Sequence, residues 1–551
     1  MKYACNLLQI ANNNANDRVM DMGSGGNGIG NVKRLERVVI VGGGTAGWMA
    51  AVALSRFFAD GRRTITLIES DAIGTVGVGE ATIPPICNFN AMLGISESDF
   101  LKETRGTYKL GIEFVNWGLR GDSYFHPFGE YGQDFHGIQF HHLYLRELLR
   151  ENGGGNAGTA GDIGAFSMST MAARKARFGR PAPGAQSLVS QIAYAYHFDA
   201  SLYAAFLRRL AERQGTRREE GRIVDVRRDG ETGDVTSVRL ENGAQIAAEL
   251  FIDCSGFRGL LIEEALETGY EDWSHWLPMD RAIAVPTSNT GPPDPFTRST
   301  AHSAGWQWRI PLQHRTGNGH VFSSAHMNED EARGILLANL EGETLAEPRT
   351  LRFKTGMRRK AWNHNVVSLG LSGGFIEPLE STSIHLIQNG IQRLFALFPD
   401  SPISPLERDE YNRGMRELFE DVRDFIILHY KATQRDDSEF WRYVRNMEIP
   451  GSLARKMELW RLHGRIFREN AELFTTPSWV AVMLGQNIRP AAFDPIADTL
   501  DEEKVARAMQ QMRRAYEETA EKLPPHEAFI RQCGGWHEQD ERGVAMTRTA
   551  S

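Results

Sequence analysis

Cysteine is scarce in this chain, with four residues in 551, at positions 5, 87, 254 and 533. Thiols so few and so far apart exclude a disulfide framework and the paired spacing of a zinc ribbon. Free thiols in a reducing cytoplasm are expected, and no metal site. No apolar run approaches the ~18 residues that a membrane helix needs, and no basic start leads into an apolar signal stretch. The expected location is therefore the cytoplasm, without a membrane partner. Excess positive charge is lacking too: 62 Lys and Arg face 70 Asp and Glu, for a formal net charge of -8. Binding to phosphate backbones needs a basic surface, so nucleic acid is excluded as the main partner and a small molecule becomes the default.

What is present is an ordinary globular balance, 41% hydrophobic and 24% charged, in a chain long enough for one large α/β enzyme with insertions. Residues 1–35 are rich in Asn and Gly and read as a disordered N-terminal extension. Residues 36–404 read as the core that carries the chemistry. From Pro405 to residue 551 the pattern is helical, broken at Pro450-Gly451, Pro477 and Pro490.

Order is expected to begin at Arg37, in the buried strand Arg37-Val38-Val39-Ile40-Val41. The glycine loop Gly42-Gly43-Gly44-Thr45-Ala46-Gly47 follows, then a helix over Thr45 to Asp60 and a strand at Thr64 to Ile68. Missing side chains at Gly42 and Gly44 let the turn close and a pyrophosphate approach the backbone, where N–H groups of Thr45, Ala46 and Gly47 open the helix. Glu69, at the end of the second strand, is placed to accept from a ribose. This βαβ unit predicts a Rossmann-like dinucleotide fold but does not choose between NAD and FAD. A late strand, Leu250-Phe251-Ile252, runs into Asp253-Cys254-Ser255-Gly256, the small-residue return that FAD hydroxylases place near the flavin. Asp253 and, further on, Gly374 therefore count as cofactor contacts.

Asp199 is read as a helix cap, and Ile223 to Arg228 with Val235 to Leu240 as a hairpin. In Gly305-Trp306-Gln307-Trp308-Arg309-Ile310-Pro311 the period-2 spacing sets both indoles on one face of a strand. Ser381 to Phe398 carries Ile384, Ile387, Ile391 and Leu394 at helical spacing, with Glu380 just before it.

Five segments together resemble the flavin-dependent halogenases of the tryptophan halogenase family: GGGTAGWMAA from Gly42, GVGEATIP from Gly77, HFDA from His197, W-x-W-x-I-P from Trp306 and EPLEST from Glu377. The resemblance implies an FAD-dependent hydroxylase-type α/β fold, with a β-sheet substrate region and a helical, substrate-binding C-terminal region. Reduced FAD, oxygen and a halide, chloride or bromide, would yield hypohalous acid. Trp306 and Trp308 would wall the flavin from the substrate, and the acid would pass through a tunnel to Lys109, which matches the family's catalytic lysine before Phe114-Val115-Asn116-Trp117. Glu380 matches the second catalytic residue, a carboxylate that stabilises the cationic ring and helps remove its proton. Backbone donors at Ser381, Thr382 and Ser383 would hold the halide, with Ser383 standing where tryptophan halogenases usually carry glycine.

His126 and Phe128 resemble the pair that sandwiches an indole, and Trp479 is the one aromatic wall expected between Gly464 and Pro490. That region shows no set of residues to grip a free amino acid, so the expected substrate is an indole or another electron-rich aromatic, not free tryptophan. A separate NAD(P)H-flavin reductase would supply reduced FAD. The sequence leaves open whether the chain pairs with a second copy. The residues alone also leave room for an FAD-dependent aromatic monooxygenase or a non-catalytic flavin-binding partner protein.

Overall fold

The computed structural model describes residues 33–59, 61–71, 79–152, 161–182, 184 and 187–537. Cys5, most of the expected N-terminal extension and Gly77-Val78 of the second motif lie outside the described residues.

A six-stranded sheet organises the dinucleotide half. Arg37–Val41 lies at its centre, parallel to Thr64–Glu69 on one side and to Leu250–Asp253 on the other. Val366–Ser368 and Arg217–Glu220 extend it in parallel, and Trp362–Asn363 closes one edge antiparallel. Parallel strands covered on both faces must be apolar throughout, and Val38 to Val41 and Leu250 to Ile252 are all buried. The helix Thr45–Phe57 crosses over from the central strand, burying Trp48 to Leu54. It stops at Phe57, short of the expected Asp60.

Order also begins earlier than Arg37. Lys33–Arg34 pairs antiparallel with Asp400–Ser401, and Leu35 is buried. The sequence hides this because a two-residue pairing partner more than 360 positions away leaves no local periodicity. The hairpin of Ile223–Arg228 with Val235–Leu240 forms as expected, and the Asp199 carboxylate accepts from the N–H groups of Ser201 and Leu202 at the start of its helix.

The second half is built on a seven-stranded sheet. Its order is Arg349–Arg352, Arg281–Thr287, Thr316–Phe322, Gly305–Pro311, Thr297–Ala301, Gly111–Val115 and Ser123–Pro127. A small three-stranded sheet of Gly79–Ala81, Ala195–Asp199 and Thr107–Lys109 sits against it. This puts the strand ending in Lys109 immediately before the strand that pairs with the Thr297–Ala301 edge.

Pro405 starts the long helix Pro405–Lys431 at a position where a missing N–H costs nothing. The helix is not the surface of a separate body. Phe425, His429 and Tyr430 are fully buried, and one continuous apolar cluster takes in side chains from both sides of residue 405.

The glycine loop shows why its residues differ. Gly42 has φ of +110°, and a Cβ there would stand 2.3 Å from the Cys254 carbonyl oxygen; one at Gly47 would stand 1.9 Å from the Gly42 oxygen. Gly44 faces open space, with nothing within 4 Å of such a Cβ. Gly42→Ala should therefore cost on the order of 1–3 kcal/mol of stability through strain and crowding. Gly44→Ala should melt like the parent and lose affinity for a pyrophosphate instead. Thermal melts beside cofactor titrations of the two variants check this, and equal melting temperatures would refute it.

Candidate active site

A cavity of about 340 Å³ opens above the glycine loop. Gly44, Thr45 and Ala46 form one end, and Trp306, Trp308 and Ile310 form another. Gly374, Ser381 and Ser383 line it as well. The Thr45–Phe57 helix has no acidic residue in its first turn, which leaves its orphan N–H groups free for an anion. Glu69 lies against Gly43 and is held by Trp48 Nε1 at 3.3 Å and Arg218 Nε at 2.5 Å. Open space over Gly44, helix donors and a largely apolar remainder fit a pyrophosphate followed by a flat aromatic ring.

Asp253 does not line this cavity. Its Oδ2 accepts from the N–H groups of Leu261 and Ile262, and its Oδ1 from Ser255 N–H and Oγ. The carboxylate is consumed in folding the return turn, and the cavity contact at this strand end passes to Cys254 and Gly256.

Both tryptophans face the same way, with ring centroids 6.1 Å apart. Trp306 Nε1 donates to Glu377 Oε1 at 3.1 Å, and Tyr430 O–H donates to the same oxygen. Burial pushes the Glu377 carboxyl up to about 7 against these two donors.

Lys109 is fully buried and its Nζ donates to Ser381 Oγ at 2.8 Å. The same ammonium lies 5.2 Å over the Phe128 ring, within cation–π range. Burial pushes the amine down to about 7, with Glu380 opposing. Glu380 itself is 1% exposed. His126 Nδ1 lies 2.9 and 3.0 Å from its two oxygens; a carboxylate only accepts, so Nδ1 carries the proton. His429 Nε2 also lies 2.8 Å from Oε1, in a contact that departs from regular hydrogen-bond geometry. Burial alone would raise the Glu380 pKa, yet the two imidazoles, His126 foremost, hold it down to about 2.

Lys109, His126 and Phe128 thus meet Glu380, which lies more than 250 positions further along the chain, in one place. Three expectations need correcting. The Ser381 N–H is spent on the Pro378 carbonyl at 3.1 Å, so among the three proposed halide donors only Thr382 and Ser383 keep a first-turn N–H without an intrahelical acceptor. The helix starts at Ser383, not Ser381, because Ser381 has φ of +58° and Thr382 is the cap. Trp479 is not the nearest wall: it packs at 5.0 Å against Phe425, which stacks at 3.7 Å on Phe474, and these two approach His126 at 5.8 and 6.5 Å. His429, Phe425 and Phe474 escape a sequence reading. The signal for His429 is a lone polar residue closing the buried run Phe425 to Leu428, one turn from Phe425.

An α/β dinucleotide fold, a cavity above its glycine loop lined by Trp306 and Trp308, and a buried lysine beside a buried carboxylate belong to an enzyme of the flavin class. The family model described as tryptophan halogenase matches residues 37–502. Tryptophan 7-halogenase RebH of Lentzea aerocolonigenes is 34% identical over 91% of this chain and 99% of its own. Among solved structures, the flavin-dependent halogenase Xcc4156 of Xanthomonas campestris is 47% identical, with a TM-score of 0.87 over 91% of this chain and 98% of that one. BrvH, a flavin-dependent halogenase of Brevundimonas sp. BAL3, is 45% identical, with a TM-score of 0.86 over 91% and 99%. This chain belongs to the tryptophan halogenase family. It is an FADH2-dependent halogenase with halide and oxygen as co-substrates.

The lowered Lys109 pKa has a consequence for stability. Between about 7 and the ordinary 10.5 the unfolded chain binds a proton that the folded chain does not, so stability rises with pH across that window. Below it, the penalty for burying the charge is fully present. Lys109→Met removes the penalty, so its melting temperature should exceed the parent's most near pH ~6 and converge toward it by pH ~9. A difference independent of pH in parallel melts would show that Lys109 titrates normally.

Proposed function

We propose that Lys109 receives hypohalous acid made in the flavin cavity and aims its halogen at one carbon of an indole or another electron-rich aromatic. The observation that carries this reading is the buried meeting of Lys109 and Glu380 beside Ser381, a residue that lines the cavity above the glycine loop. FAD would rest on Gly42, Gly44, Thr45, Ala46 and Gly47, with Glu69 toward the ribose, and when reduced it supplies the electrons that let oxygen oxidise halide.

The protein's own side chains then do four things. Thr382 and Ser383 offer N–H groups to chloride or bromide at a helix start. Trp306 and Trp308 keep the aromatic substrate off the flavin, so only a small oxidant crosses. Lys109, with a neutral fraction near pH 7, hydrogen-bonds hypohalous acid or takes its halogen as a haloamine, in both cases fixing the direction of attack. Glu380, held ionised by His126 and His429, stabilises the positive charge that builds on the ring and draws off its proton. His126 is chiefly a positioning residue for Glu380, which leaves Phe128, Phe425 and Phe474 as the apolar lining for the substrate.

Relatives such as RebH are named for tryptophan. Here the Gly464 to Pro490 region carries no cage for an amino acid's ammonium and carboxylate, which supports a simpler indole, a phenol or a larger indole-bearing metabolite. The chain works in the cytoplasm beside a separate NAD(P)H-flavin reductase.

Supplying an added reductase, FAD, bromide or chloride, and a panel of indoles and phenols, with products read by mass spectrometry, tests the whole reading. Halogenated, halide-dependent products are expected. Lys109→Ala should abolish them while FAD binding and consumption of reduced flavin persist. Glu380→Gln should slow ring halogenation by roughly 10²–10⁴-fold. Unchanged halogenation by folded Lys109→Ala would defeat the mechanism.

A further inference from the structure

Halide oxidation consumes a proton that none of the groups above supplies. Reduced FAD, oxygen, one halide ion and one proton give oxidised FAD, one hypohalous acid and one water. Oxygen takes two electrons from the flavin and two from the halide. The acid that gives the proton must reach the flavin cavity itself, and neither Lys109 nor Glu380 is among the described residues that line it.

Glu80 meets that requirement. It lies on the short strand Gly79–Ala81, which pairs with Ala195–Asp199 and packs against the tryptophan strand. Glu80 lines the cavity and is the sole carboxyl among its described lining residues. Its other candidate proton donor, the Cys254 thiol, is pushed well above its usual range by burial and by Asp253. The hydroxyls of Thr297, Ser299, Ser381 and Ser383 also line the cavity but do not release protons near neutrality.

We propose that Glu80 is the acid that delivers the proton consumed in each oxidation of halide, from a carboxyl directed into the flavin cavity. This rests on the halogenase reading and adds a catalytic residue to it. Among the described residues no side chain donates a hydrogen bond to the Glu80 carboxyl. The charged groups at the end of the paired strand, Asp199 and Arg315, are bonded to each other. Burial, acting alone, pushes Glu80 up to about 7, so near neutrality the carboxyl holds a proton and can still give it up. The cavity rim carries the exposed Phe257 and Leu371, which marks the opening through which solvent restores that proton.

The test compares the parent with Glu80→Gln, which keeps size and hydrogen bonding but has no proton to give, and with Glu80→Ala. Oxidised-FAD affinity is read by flavin fluorescence. Halide oxidation is read with reduced FAD, bromide and a diffusible hypohalous-acid scavenger, without aromatic substrate, so that Lys109 and Glu380 play no part. Glu80→Gln should bind FAD like the parent and oxidise bromide about 10²-fold more slowly. Glu80→Ala should be equally slow and be partly restored by formate. Independently of turnover, the infrared spectrum of the cofactor-free chain should show a protonated carboxyl band that titrates near 7 and is missing from Glu80→Gln. A parental rate in Glu80→Gln overturns the proposal, as does a slow rate that saturating FAD fully restores, which would make Glu80 a cofactor ligand only. A parent that makes no halide-dependent oxidant defeats the halogenase reading first, and this proposal with it.

Discussion

Glu380 carries its charge where bulk water does not reach, and much of the substrate half of the molecule is arranged to make that tolerable. An ionised carboxylate taken into a protein interior costs several kcal/mol unless partners replace its hydration. His126 arrives on an edge strand of the seven-stranded sheet and His429 on the long Pro405–Lys431 helix, and both reach the carboxylate. Sheet and helix must therefore close on the turn that bears Glu380. The helical C-terminal region thus supplies a partner to Glu380 and shares one apolar core with the rest of the chain.

The same turn performs a second task. Ser381, forced to a positive φ just before the Ser383–Ala396 helix, accepts the Lys109 hydrogen bond through its side chain while its N–H closes the turn on Pro378. Lysine, carboxylate and the helix start that would hold a halide are fixed to one another within a few residues of chain. Glu377, at the other end of the segment, anchors Trp306 and Tyr430. One six-residue stretch therefore holds Trp306 and Lys109 by hydrogen bonds and carries the Glu380 carboxylate.

The buried ionisable groups sit in two different settings. The cavity above the glycine loop is largely apolar and carries one isolated carboxyl, Glu80, left without a charged neighbour. Around Glu380 the groups are crowded and partnered, with Lys109 and two imidazoles close by. Burial moves Glu80 and Lys109 in opposite directions toward neutrality because it disfavours whichever form is charged. Glu380 escapes the same fate only through its imidazoles.

The sequence by itself determined what depends on near neighbours in the chain. The strand, glycine loop and helix of the dinucleotide unit were legible because three glycines at fixed spacing fall between a buried strand and a helix, and alternation placed both tryptophans on one face. Motif resemblance marked Lys109 and Glu380. What the tertiary structure decided was partnership: Asp253 turned to cap its own return, Ser381 spent its N–H locally, Lys33–Arg34 found a strand near residue 400, and His429 came to face Glu380 from a helix that looked only amphipathic. Trp479 fell behind Phe425 and Phe474 for the same reason. Apart from the two short turns at Asp253 and Ser381, these contacts join residues tens to hundreds of positions apart, and all are chosen by which buried polar groups still need a partner once the apolar faces have closed, a condition that no local pattern of residues expresses.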